Sequence, residues 1–89
     1  MLTETAIKAL KPRTRLYRVA DSAGLCLEVT PGGSKLWRWR YRFNGRAQML
    51  ALGKHPVVSL AEARRRRDEA RLLLDQGRHP AREKKARRM

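Results

Sequence analysis

Acids, cysteine, histidine and long apolar runs are all scarce in this chain, and each shortage removes a class of function. Its 89 residues include 8 Asp+Glu, one Cys and two His. A lone Cys26 forms no internal disulfide, and His55 and His79 stand too far apart to begin a metal-ligand cluster. Uncharged stretches such as HPVVSLA are far too short to span a bilayer, so no membrane role is expected. The start, MLTETAIKALKP, puts Glu4 and Lys8 where a secretion signal needs an apolar run, and a cytoplasmic protein is expected. Neither histidine has a nucleophile within a recognisable spacing. Catalysis, metals and cofactors are therefore not expected of these residues.

What is abundant is positive charge. Lys+Arg number 22, sixteen of them arginine, and the formal net charge is +14. Such an excess calls for a polyanion, with nucleic acid first. At 42% hydrophobic residues the chain still folds, as a single small domain with a modest core. The charge is unevenly placed. Residues 35–46 hold Lys35, Arg38, Arg40, Arg42 and Arg46 without an acid. The run Arg64-Arg65-Arg66-Arg67 lies among four acids, in a segment that is nearly neutral.

The elements follow from periodicity and turns. Thr3 caps a short helical turn over about residues 4–9, stopped by Lys11-Pro12. Leu16–Ala20 reads as a short strand, and the alternation in GLCLEVT (24–30) as a half-buried one. In KLWRWRYRF, Trp37, Trp39, Tyr41 and Phe43 share one face while Arg38, Arg40 and Arg42 share the other. Asn44-Gly45 suits a two-residue hairpin turn, with Gln48–Leu52 returning. That turn sets Trp39 opposite Leu50, Trp37 opposite Leu52, Arg42 opposite Ala47, Arg40 opposite Met49 and Arg38 opposite Ala51. The preceding hairpin needs a three- or five-residue loop, or a bulge, around Pro31–Lys35, which leaves Glu28 opposite or diagonal to Arg38.

Ser59-Leu60-Ala61-Glu62 is a capping box, opening a helix from about Leu60 to Gln76 that Gly77 closes. Leu60, Ala63, Ala70, Leu73 and Leu74 form its apolar stripe, with Arg67 on the same stripe snorkelling at the core edge. The expected fold is α+β: a three-stranded antiparallel sheet, plus a short N-terminal strand, packed on one C-terminal helix. The domain covers residues 1–77, and residues 78–89 read as a basic linker or the start of another helix.

Two arginine groups compete for the binding role. On a helix, four consecutive residues spread over about 300° of the cylinder and form no stripe. Arg64–Asp68, Arg65–Glu69, Arg71–Asp75 and Glu62–Arg66 are spaced as (i, i+4) ion pairs, so a solvated, salt-bridged surface explains this run. The strand ladder is different. A solvated face ordinarily mixes signs, whereas three alternating arginines here have at most one acid, Glu28, nearby. Stacked like charges call for an external anion, and arginine's planar fork can read guanine as well as phosphate. Trp37 and Trp39 could stack on single-stranded bases, but their register with leucines favours core packing. Cys26 reads as a spectator on the outer face. An RNA- or ribosome-associated basic protein, or a module for an acidic protein partner, remain the alternatives.

LTETAIKALKP (2–12), ADSAGLCLEVTPGGSKLWRWRYRFNGR (20–46), LALGKHPVVSLAEAR (50–64) and the helix ending at Gly77 together resemble the N-terminal arm-type DNA-binding domain of prophage-type tyrosine recombinases, or integrases. One departure is Gly-Arg-His-Pro at 77–80, where the family usually has Gly-x-Asp-Pro. The resemblance implies sequence-specific binding to double-stranded DNA at arm sites, with the sheet face in the major groove, in the nucleoid of a bacterial host. It also implies other recombinase protomers and DNA-bending proteins as partners, and a catalytic domain outside these residues. On that basis Lys35, Arg38, Arg40, Arg42 and Arg46 are expected to enter the groove, with Met49 and Ala51 lining the same face. Lys54 and the N-terminal Lys8, Lys11, Arg13 and Arg15 are expected to hold phosphates.

Overall fold

The strict alternation of KLWRWRYRF, folded back on itself at Asn44-Gly45, organises the whole molecule. In the computed structural model, which describes residues 1–82, the elements are α1 (Glu4–Ala9), β1 (Tyr17–Ala20), β2 (Leu25–Val29), β3 (Lys35–Phe43), β4 (Arg46–His55) and α2 (Leu60–Asp75). The strands form one antiparallel sheet in the order β1-β2-β3-β4. The short N-terminal strand expected beside a three-stranded sheet is thus its fourth member. Tyr17–Ala20 runs in register with Cys26–Val29 and covers the hydrogen-bonding edge that β2 would otherwise expose.

Asn44 and Gly45 adopt φ of 51° and 76°, as a type I′ turn requires, and the register from Phe43↔Arg46 to Arg38↔Ala51 is the expected one. Beyond it the pairing shifts. Trp37 lies opposite Gly53, and Leu52 is the extra residue of a β-bulge. The shift keeps both large side chains inside, since Trp37 is fully buried and Leu52 is nearly so. Gly53 makes it possible: its φ is 128°, and a Cβ there would run into the Val58 side chain. The strand also continues further than Leu52, to His55. In the earlier hairpin, Val29 pairs with Lys35 across a five-residue connection whose ends are tied by Thr30 N–H donating to Ser34 O at 2.9 Å.

All five residues of β2 are buried, not alternate ones. Leu25, Leu27 and Val29 enter the core, while Cys26 and Glu28, on the other face, are covered by side chains from the two flanking strands. A central strand has neighbours on both edges, and long arginine stems close over it.

The core lies between the sheet and α2. Trp37, Trp39, Leu50 and Leu52 meet Leu60, Ala63 and Ala70, and Ile7 of α1 is buried with them. The Trp37 indole N–H donates to Val58 O at 2.7 Å and the Trp39 indole to Ala23 O at 2.9 Å, so both rings are committed to the interior. α2 starts with Ser59 Oγ accepting from Glu62 N–H at 3.1 Å. It ends with Gly77 N–H bonded to Leu74 O and Arg78 N–H to Leu73 O, the Schellman pattern. Packing continues beyond Gly77. The His79 ring meets Phe43 edge-on at 4.3 Å and Tyr41 at 5.9 Å, Pro80 is fully buried, and Ala81 packs against the core. Of the basic segment expected at 78–89, residues 83–89 lie outside the described residues.

Candidate nucleic-acid interface

Side chains alternate across a pleated sheet, so α2 covers one face and leaves the other outward. The outward face carries Arg38, Arg40 and Arg42 of β3 beside Ala51, Met49 and Ala47 of β4. Lys54, opposite Leu36, extends it at one end. β1 adds Arg18, directly opposite Glu28. Arg18 was not among the residues anticipated, although the alternation of Tyr17 and Val19 with Arg18 already marked its side. Shallow hollows on this face are lined by Arg18, Cys26 and Arg40, and by Arg18, Arg40, Arg42, Gln48 and Met49.

Five cations therefore share a surface with one acid. Arg40 and Arg42 are exposed, and neither forms an ion pair among the described residues. Arg40 is anchored through its backbone, whose N–H donates to Gly24 O at 2.8 Å. Glu28 is only 5% exposed and accepts from Arg18 Nε at 2.9 Å and from Arg38 Nε at 3.3 Å. Met49 is 40% exposed in the middle of the face. Burial pushes the Cys26 thiol above its ordinary pKa, which leaves it a poor nucleophile.

Other anticipated residues stand elsewhere. Lys35 shares the α2 side of the strand with Trp37, and its Nζ donates to Ile7 O at 2.6 Å, holding the end of α1 on the sheet. Arg46 pairs with Phe43 at the hairpin end, on the face opposite the ladder, and is exposed. Lys8 lies in the last turn of α1. Lys11 gives its carbonyl to Tyr17 Oη at 2.6 Å, and the Arg13 guanidinium stacks 4.3 Å above the Tyr17 ring. With exposed Arg15 they form a second basic group, leading into β1.

Three arginines of α2, Arg64, Arg66 and Arg67, tie the helix to other parts of the fold. Arg64 does not pair with Asp68; it grips Asp21 with two bonds, Nη2 to Oδ1 at 2.8 Å and Nε to Oδ2 at 3.0 Å. Arg67 does not snorkel to solvent; it donates to Ser22 O at 3.1 Å and Ser22 Oγ at 2.9 Å, tying α2 to the β1–β2 loop. Arg66 caps the bulge by donating to Leu52 O at 2.8 Å, and it also meets Glu62 at 3.2 Å. Arg65 pairs with Glu62 at 2.6 Å and Glu69 at 3.2 Å, while Arg71 and Asp75 form no ion pair among the described residues. The two neighbouring arginines hold the Glu62 carboxyl at about 2.

His55 is likewise structural. Its Nε2 lies 2.9 Å from Glu4 Oε2, and Glu4 Oε1 accepts the first helical N–H of α2, that of Leu60, at 2.7 Å. These bonds hold the Glu4 carboxyl below its ordinary pKa.

Residues 2–87 match the family described as the arm DNA-binding domain. The chain belongs to that family. The arm domain is similar to the prophage integrase IntZ of Escherichia coli K12, with 46% identity over 96% of this chain and 22% of the relative. It is 44% identical to the integrase of Enterobacteria phage P4 over 89% of the chain and 18% of the relative. With the integrase of Shigella phage Sf6 it shares 41% over 97% and 22%. The arm domain thus spans about a fifth of the length of these relatives. No helix among its described residues is long and apolar enough to cross a membrane.

Proposed function

We propose that this arm domain binds double-stranded DNA at arm-type sites, with the outward face of its sheet in the major groove. It does so as the N-terminal part of a phage or prophage tyrosine recombinase. The observation that carries the reading is the pair Arg40 and Arg42: exposed, on a central strand, without an acid partner among the described residues, and beside the exposed Met49. A sheet face presents side chains at fixed spacing, which suits base edges better than a mobile loop does. Met49 and Ala51 face the same way and would meet thymine methyl groups. Lys54, the hairpin-tip Arg46 and the N-terminal group Lys8, Lys11, Arg13 and Arg15 would hold phosphates. Residues 78–89 would lead toward core-binding and catalytic parts outside this chain, and the chain itself would do no chemistry. In that setting its partners would include further recombinase protomers and DNA-bending proteins.

Arg40→Ala tests the reading by competition binding to duplex DNA at moderate salt. The expected result is weaker binding to duplex of any sequence and a salt slope shallower by about 1, whereas Arg65→Ala, whose partners are Glu62 and Glu69, changes little. Unchanged duplex affinity in Arg40→Ala would sink the sheet-face reading. Single-stranded RNA competing as well as duplex would redirect it to RNA.

A further inference from the structure

A carboxylate in the middle of a DNA-facing surface opposes binding, because it repels phosphate and lowers the local positive potential. Glu28 is such a group. It lies in a central strand, 5% exposed, with each oxygen on a different neighbour: Oε2 takes Arg18 Nε from β1 at 2.9 Å, and Oε1 takes Arg38 Nε from β3 at 3.3 Å. The register builds this bridge, with Arg18 directly opposite Glu28 and Arg38 one diagonal step away, opposite Cys26. Three adjacent strands therefore contribute one Arg–Glu–Arg unit on the outward face.

The mode of attachment matters. Both arginines are held through Nε, and their Nη1 and Nη2 groups make no hydrogen bond among the described residues. Those terminal nitrogens form the fork that fits guanine O6 and N7. A guanidinium clamped at its inner edge keeps its outer edge aimed outward and loses less rotamer freedom on meeting a base. Arg40 and Arg42, without such a clamp, can follow a phosphate wherever the backbone runs.

We infer that Glu28 is a positioning residue that fixes Arg18 and Arg38 as the base-reading pair of the face, with Arg40 and Arg42 supplying sequence-independent grip. The inference rests on the sheet face being the DNA interface, and it assigns the specificity of that interface to the β1–β2–β3 side.

The test compares the full chain with its variants on two duplexes: one selected from a random pool, and one shuffled to the same length and base composition. Glu28→Gln keeps the shape and removes the charge. It should bind shuffled duplex as tightly as the unaltered chain or tighter, yet bind selected duplex about tenfold more weakly. A merely structural role would weaken both together. Arg18→Lys and Arg38→Lys retain charge but not the fork, so each should lower the selected-to-shuffled ratio about tenfold while leaving the salt dependence on shuffled duplex unchanged. These two variants decide the matter if thermal unfolding shows that Glu28→Gln does not fold.

The inference is overturned if Glu28→Gln shifts both duplexes alike, if the lysine variants keep the ratio, or if selection enriches no sequence. Arg40→Ala, measured on the same duplexes, separates that failure from failure of the interface itself. If it weakens both duplexes, the sheet face stands whatever Glu28 does.

Discussion

Asp21 joins the chain's first residues, the β1–β2 loop and α2. Its Oδ1 accepts from Leu2 N–H and from Arg64 Nη2, both at 2.8 Å, and its Oδ2 from Arg64 Nε and Ser22 Oγ, both at 3.0 Å. The Arg64 guanidinium beside it holds its carboxyl at about 2, against an ordinary 3.8. A carboxylate whose folded pKa lies below its unfolded one stabilises the fold fully above the unfolded value. That stabilisation drains away as pH falls through the folded value. Here the window runs from just above pH 3.8 down to about pH 2, and the gap corresponds to about 2 kcal/mol. Asp21→Asn should therefore melt below the unaltered protein at pH 7, with the difference shrinking as both are titrated through that window. Thermal unfolding at pH 7, 5, 3 and 2 checks it. A constant difference would show that Asp21 acts through shape rather than charge.

The β3–β4 hairpin shows what an element can conceal. A two-residue turn dictates the register only as far as the ladder stays regular, and it stays regular to Arg38↔Ala51. There the demands of two side chains intervene. Trp37 must reach Val58 O, and Leu52 must stay in the core, so the strand inserts a residue and resumes its pairing at Gly53. Arg66 then donates to Leu52 O at 2.8 Å. Gly53→Ala would place a Cβ against Val58 at a φ that side chains rarely adopt. The expected cost is about 2 kcal/mol or more, seen as a lower midpoint of denaturant unfolding with an unchanged slope. The outward arginines lie before the bulge, so duplex affinity measured where the variant is folded should stay within about twofold.

Over the whole molecule, charge and packing divide the work differently from the composition. If about six phosphates are neutralised by the outward face and the N-terminal group, log affinity should fall with log salt at a slope near −5. A slope shallower than about −2 would mean that few of these cations reach the backbone. The C-terminal side is a packing matter. A chain ending at Gly77 lacks His79 against Tyr41 and Phe43, and lacks the buried Pro80. Compared with a chain ending at Arg82, it should lose about 2 kcal/mol, read as a lower melting temperature. Equal stabilities would place the working edge of the domain at Gly77.

Local chemistry alone determined much of this protein. The positive φ needed at Asn44-Gly45, the Ser59 cap, the period-two split between aromatics and arginines, and the excess of cations are each legible within a few residues. Together they yield the element order, the sheet and helix layers, and an outward arginine ladder. What tertiary structure decided was partnership, because a guanidinium on a long stem can reach acids far away in sequence. Arg64 goes 43 residues back to Asp21 rather than four forward to Asp68, Lys35 turns to the end of α1, and Arg18 joins the ladder only once β1 lies beside β2. The scarcity of acids at the outset carries more weight than their number suggested. With 8 in the chain, the one on the outward face, Glu28, holds Arg18 and Arg38, while Arg40 and Arg42 form no ion pair among the described residues. That distinction exists only where three strands meet.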